Sequence, residues 1–142
     1  MSLPRLLRLL VIPCLLSCQE QSTTAISPQP TMEVGPGLSE LLPHQAQGSL
    51  VKLTVSVTAS GRPAPGLEVH WYDGRSPTGL STRLSLTDDD GIAETTWTLP
   101  YIPATAPFAS YWVQVTMPGA AGNPILYTIE VYRCTREPCP GG

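Results

Sequence analysis

The stretch from Thr87 to Leu99 reads TDDDGIAETTWTL. Asp88, Asp89 and Asp90, three carboxylates in a row, are the residue type that ligates a hard cation, because calcium takes roughly six to eight oxygens in flexible geometry. The same residues followed by Gly91 also make a tight turn. Asp accepts hydrogen bonds from nearby backbone N–H groups, and Gly takes the positive φ that such turns need. Placing Gly91 at the sixth position of an EF-hand loop puts Leu86 at the first and Trp97 at the twelfth. Carboxylates are required at both of those positions, so that motif fails. Turn chemistry alone accounts for the stretch; calcium held by Asp88, Asp89 and Asp90 with carbonyls from neighbouring loops stands as the alternative.

Other reactive residues are sparse. His44 lies in a loop-like region and His70 on the polar face of a strand pattern, each without a local motif. No nucleophile elbow, zinc-protease motif or phosphate-cradling glycine loop occurs, so neither an enzyme nor a cofactor is expected. Of the cysteines, Cys134 and Cys139 bracket CTREPC near the carboxyl end. Their spacing is not that of a zinc knuckle or a redox pair, and in an oxidising compartment they are expected to close a small disulfide loop.

The amino terminus, MSLPRLLRLLVIPCLLSCQEQ, puts Arg5 and Arg8 ahead of an apolar run ending at Leu16. That is the charged-then-apolar order of an export signal, in a run short of the roughly 20 apolar residues of a membrane span. Leu15-Leu16-Ser17-Cys18 resembles the lipobox of bacterial lipoproteins. The resemblance implies cleavage before Cys18, lipid on that residue, and a membrane as partner; Gln19 in place of Asp leans the sorting towards the outer membrane. Residues 1–17 are then the leader, which carries off Cys14, and 18–31 are the lipidated cysteine and a polar, proline-containing tether. As a flexible coil the tether reaches on the order of 20 Å.

Eight Lys and Arg residues oppose eleven Asp and Glu; losing Arg5 and Arg8 moves the formal charge from −3 to −5. An acidic chain with one lysine, Lys52, has no electrostatic basis for binding nucleic acid.

The elements that would position any site have a period of two, the mark of strands with one buried face. LVKLTVSVTA puts Val51, Leu53, Val55, Val57 and Ala59 on one side. LEVHWY turns Leu67, Val69 and Trp71 inward, and LSTRLSLT is expected to turn in Leu84 and Leu86 with Arg83 and Ser85 outward. IAETTWTL, SYWVQVTM and ILYTIEVY alternate in the same way, and Met32 to Val34 is a weaker strand. Turn-rich segments separate these runs. The expectation is an all-β, immunoglobulin-like β-sandwich of about seven antiparallel strands after the signal peptide and tether. It covers residues 32–133, and a tail with the disulfide loop follows at 134–142.

VKLTVSVTASGRPAPGLEVHW, then LTDDDGIAETTWTL, then YWVQVTMPGAAGNPILYTIEV is similar to the bacterial immunoglobulin-like domains of the Big-1, or invasin and intimin, type. Gly61, Pro63, Pro65, Gly66, Val69, Trp71, Thr87, Asp88, Gly91, Ala93, Trp97 and Leu99 occupy the positions of that pattern. The resemblance implies a non-catalytic spacer or display module, usually found in tandem, whereas this sequence holds a single copy.

Successive connections of a sandwich alternate between its ends. SGRPAPG, DDDG and PGAAGNP are therefore expected at the tether end. PYIPATAPFA, DGRSPTG and the segment from Gly35 to Gly48 belong at the opposite end, where loops usually carry binding. There Tyr101, Ile102 and Phe108 are candidates for an apolar contact patch, with Arg75 and His44 as polar neighbours; the competing reading is that the apolar residues fold back as caps on the core. The functional expectation is an exported lipoprotein acting as an envelope or surface binding, adhesion or structural module with a protein partner. The alternative is a periplasmic accessory protein that binds a small ligand or a cation.

Overall fold

Strict alternation of β-branched and polar residues gives a backbone whose two faces differ in solubility, and burial of one face drives two sheets together. The computed structural model describes residues 28–75 and 78–133. The expected leader, Cys18 with its expected lipid, and Cys134 and Cys139 with their expected disulfide lie outside the described residues. Among the described residues the strands are β1 Thr31–Val34, β2 Gln45–Ala46, β3 Leu50–Ala59, β4 Arg62–Pro63, β5 Glu68–Tyr72, β6 Leu84–Leu86, β7 Ile92–Thr98, β8 Phe108–Thr116 and β9 Ile125–Tyr132. No helix occurs among them. The chain is an all-β, immunoglobulin-like sandwich.

In the first sheet β3 lies between β1 and β7 and carries β4 as a short hairpin arm; the second runs β2-β9-β8-β5-β6. In β3, β5, β7, β8 and β9 the inward rows are those the alternation predicts. Leu53, Val55, Val57, Ala93 and Trp97 meet Val69, Trp71, Val113, Val115, Tyr127 and Ile129 in one core. Each large apolar side chain removed from water contributes roughly 1.5–3 kcal/mol. The sheets are also joined by a polar tie, in which the buried Tyr127 hydroxyl donates to the Thr54 carbonyl of β3.

Three features differ from the sequence expectation. Among the described residues nine strands form rather than about seven, because β2 and β4 have two residues each and are too short to show a period. Not every pairing is antiparallel, since β2 runs parallel to β9. Finally, β6 is turned over. Leu84 and Leu86 are exposed, while Ser85 accepts a hydrogen bond from the Trp71 indole N–H at 2.8 Å. The strand expected over LSTRLSLT is in fact split. Leu80 bridges to Trp97 of the first sheet, and the chain then crosses to pair with β5. A one-residue change of register during such a crossing inverts every later side chain, and the buried indole needs an acceptor that Ser85 supplies.

The loops assort as expected. Pro30 accepts from Ala121 N–H and Val57 N–H donates to Gly91, which puts PGAAGNP and the aspartate turn at the end where the described chain begins. Gly48 N–H donates to Leu99 at the other end.

Candidate binding surface at the distal end

Beyond Tyr72 the chain turns on Asp73, whose side chain is almost completely buried. Its carboxylate accepts from Arg75 N–H at 3.2 Å, Arg75 Nε at 2.8 Å and Gly79 N–H at 2.9 Å. Arg75 Nη2 approaches it to 2.7 Å. Burial pushes the Asp73 carboxyl upward, but the hydrogen bonds from Gly79, Thr78 and Arg75 outweigh it and hold the group below its ordinary value. Asp73 is therefore a charged hub that closes the loop. The guanidinium it holds also donates to Thr98 O at 3.3 Å and sits 5.9 Å from the centroid of the Trp97 ring, a cation–π distance. Gly79 is required by this crowding, since a Cβ there would lie 2.0 Å from Arg75 Nη2 and 2.4 Å from Thr98 O.

This hub forms one wall of an open cleft of about 600 Å³. Thr78, Ser81, Thr96 and Thr98 line it with hydroxyl-bearing side chains, and Leu50 and Tyr101 give it an apolar rim. Its size is within the roughly 300–1,000 Å³ of small-ligand sites. A hydroxyl-rich floor with one anchored cation and an aromatic edge can hydrogen-bond and stack on a polar ligand or a protruding peptide.

The predicted patch does not form as a unit. Tyr101 is 78% exposed on the cleft. Ile102 is 6% exposed and belongs to the core, so of the three apolar candidates the capping role falls to Ile102. Phe108 is 60% exposed but pairs with Tyr132 across β8 and β9, on the second sheet. His44 joins that side too, 3.0 Å from Glu130 of β9. Only Arg75 shares the Tyr101 cleft. Sequence reasoning missed Asp73 and the hydroxyl floor. The Asp73-Gly74-Arg75 turn was the available signal for the first; nothing local marks the second.

At the opposite end, Asp88 Oδ1 accepts from Asp90 N–H at 3.0 Å and Ile92 N–H at 2.8 Å. Thr87 is buried, donating to Ala64 O at 2.6 Å and accepting from Leu67 N–H at 2.9 Å. The TD pair thus pins the turn to the SGRPAPG loop.

No protein-family model matches the chain, and no curated protein matches it. Among solved structures it is similar to a Bacteroides ovatus GH5 xyloglucanase, at 16% identity and a TM-score of 0.50, over 73% of this chain and 19% of that one. It is also similar to the D0-D1 domain of intimin, at 17% identity and a TM-score of 0.48, over 76% and 47%. The D00-D0 domain of intimin matches at 12% identity and 0.49, over 75% and 50%. The chain spans between a fifth and a half of the length of these structures.

Proposed function

We propose that this protein is an exported bacterial lipoprotein whose single immunoglobulin-like sandwich acts without catalysis as a binding or adhesion module of the cell envelope. The leader, the lipid on Cys18 and the outer-membrane location are supported by the order of Arg5, Arg8, the apolar run and Leu15 to Cys18. The observation that carries the binding reading is the polarity of the sandwich. The described chain enters at one end, while the cleft beside Arg75 and Tyr101 opens at the other. A tethered domain with that layout presents its cleft away from the lipid surface.

Two experiments test the reading. Cys18→Ala is expected to abolish lipid labelling and release the chain from the membrane fraction; a variant still membrane-bound at mature length refutes the anchor. A photo-crosslinking residue at Tyr101 is expected to capture an envelope protein in intact cells, while one at Asp89, exposed in the turn at the opposite end, does not. Equal capture at both positions refutes the distal site. The cleft volume also favours the second reading, a periplasmic accessory protein with a small ligand. A Tyr101 probe that forms only low-mass adducts would select it.

A further inference from the structure

Outward positions of a solvated sheet are normally polar, and the first sheet obeys. Apart from Leu50 at the cleft rim, its outer face bears Lys52, Thr54, Ser56, Glu94 and Thr96 on β3 and β7, with Lys52 and Glu94 paired. The second sheet does not. Tyr72, Leu84, Leu86, Phe108, Trp112 and Leu126 stand on its outer face, and Leu41 bridges to Thr128 at its margin; all seven are 41–70% exposed. Register makes most of this one surface. Tyr72 lies opposite Gln114, and Gln114 opposite Leu126. Trp112 lies opposite Thr128, which Leu41 adjoins, and the Tyr72 and Trp112 rings are 5.9 Å apart.

Seven such side chains, about half exposed, present on the order of 700 Å² of mostly apolar surface across the face, interrupted by His70 and Glu68 opposite Leu84 and Leu86 and by Ser110 between Trp112 and Phe108. The largest patch on a typical monomer is about 300–600 Å², and a stable interface buries about 800 Å² on each partner. We propose that the outer face of β6-β5-β8-β9 is a two-fold interface with a second copy of this chain.

A two-fold axis parallel to the strands and between β5 and β8 makes the face self-complementary, as a closed dimer requires. It lays β6 of each copy over β9 of the other. Such an axis keeps each residue at its own level along the strands, so Leu84, level with His70 and Thr116, meets the start of β9 beside Leu126, and Tyr72 of each copy lies over Gln114 of the other, next to Trp112. The charges are compatible. Glu68, 3.5 Å from His70, is level with the chain just past Thr116, beyond the end of β8, and Glu130, with His44, falls beyond the three residues of β6. No like charges are set face to face. This axis also keeps both chain entries at one end, as two anchored copies need; that last point rests on the lipoprotein reading, and the interface itself does not.

The test uses the full chain carrying Gln114→Cys and a short bis-maleimide crosslinker, with the wild-type chain as background for its own cysteines. A covalent dimer well above that background is expected for Gln114→Cys and not for Ser56→Cys on the outer face of the first sheet. Trp112→Arg and, separately, Leu84→Lys, both at exposed positions, are expected to raise the dimer Kd by at least about tenfold in sedimentation with unchanged circular dichroism. A chain that sediments as a monomer up to millimolar concentration overturns the proposal. So does intramolecular linkage of Gln114→Cys to Cys134 or Cys139, which would make the chain's own tail the occupant. A monomer whose Trp112 fluorescence responds to soluble glycans overturns it in favour of a carbohydrate platform.

Discussion

Asp73 concentrates the polar energetics of the distal end, because one buried carboxylate organises Arg75, Gly79 and the approach to Thr98. Hydrogen bonds to a charged group are each worth roughly 1.5–3 kcal/mol, so Asp73→Asn is expected to cost about 2 kcal/mol in urea denaturation and to open the cleft. Its folded pKa lies below the unfolded value. The stabilisation is therefore complete above roughly pH 4 and is lost as pH falls through the folded pKa. Asp73→Asn should flatten the acid limb of a stability-against-pH curve; an unchanged limb would remove Asp73 as its source. Tyr127 is the counterpart inside the sandwich. Burial raises its pKa, so the hydroxyl stays neutral and its stabilisation is present below about pH 10 and lost at higher pH as it ionises. Tyr127→Phe keeps the ring and removes the tie to Thr54, with an expected loss of about 1 kcal/mol, read as a melting temperature lower by about 4–8 °C.

At the scale of elements, the aspartate turn separates its three carboxylates by role. Asp88 caps two backbone N–H groups, and Gly91 has φ +72 with its Cα so close to β3 that a Cβ would lie 2.5 Å from Val57 O. Asp88→Ala should cost about 1 kcal/mol and Gly91→Ala more than about 1 kcal/mol. Asp89→Ala and Asp90→Ala should stay within about 0.5 kcal/mol. If Asp89 and Asp90 are as costly as Asp88, and calcium raises the melting temperature of the wild type alone, the cation reading displaces the turn. The long strands β3, β7, β8 and β9 were legible because each runs seven residues or more with one buried face. β6 was not, because three residues after a sheet crossing carry no register of their own. Its edge is also managed locally, with the Thr82 hydroxyl bonded to both backbone polar groups of Leu84, a device that blunts strand addition.

For the whole molecule, the two sheets have different solvents. The first presents an ordinary polar face, and the second an apolar one that a lone domain would leave in water. The distal cleft opens at one end of the sandwich, apart from the outer face of the second sheet. Binding there and pairing through β6-β5-β8-β9 are thus separable, and Tyr101→Ala is expected to leave sedimentation unchanged while removing the Tyr101-dependent partner. Coupled loss of both would show that one surface serves both roles.

Sequence alone determined the β-sandwich, its inward rows in the long strands, the turn chemistry of TDDDG and the assortment of loops to the two ends. These follow from period-two alternation and strand parity, which neighbouring residues carry between them. Tertiary structure alone decided which distant residues share a surface. It joined Asp73, Arg75 and Thr98, drew Ile102 into the core and sent Phe108 and His44 to the second sheet. It also turned Leu84 and Leu86 outward beside Tyr72 and Trp112. Those outcomes depend on sheet order and register, and register is set by packing between segments far apart in the chain.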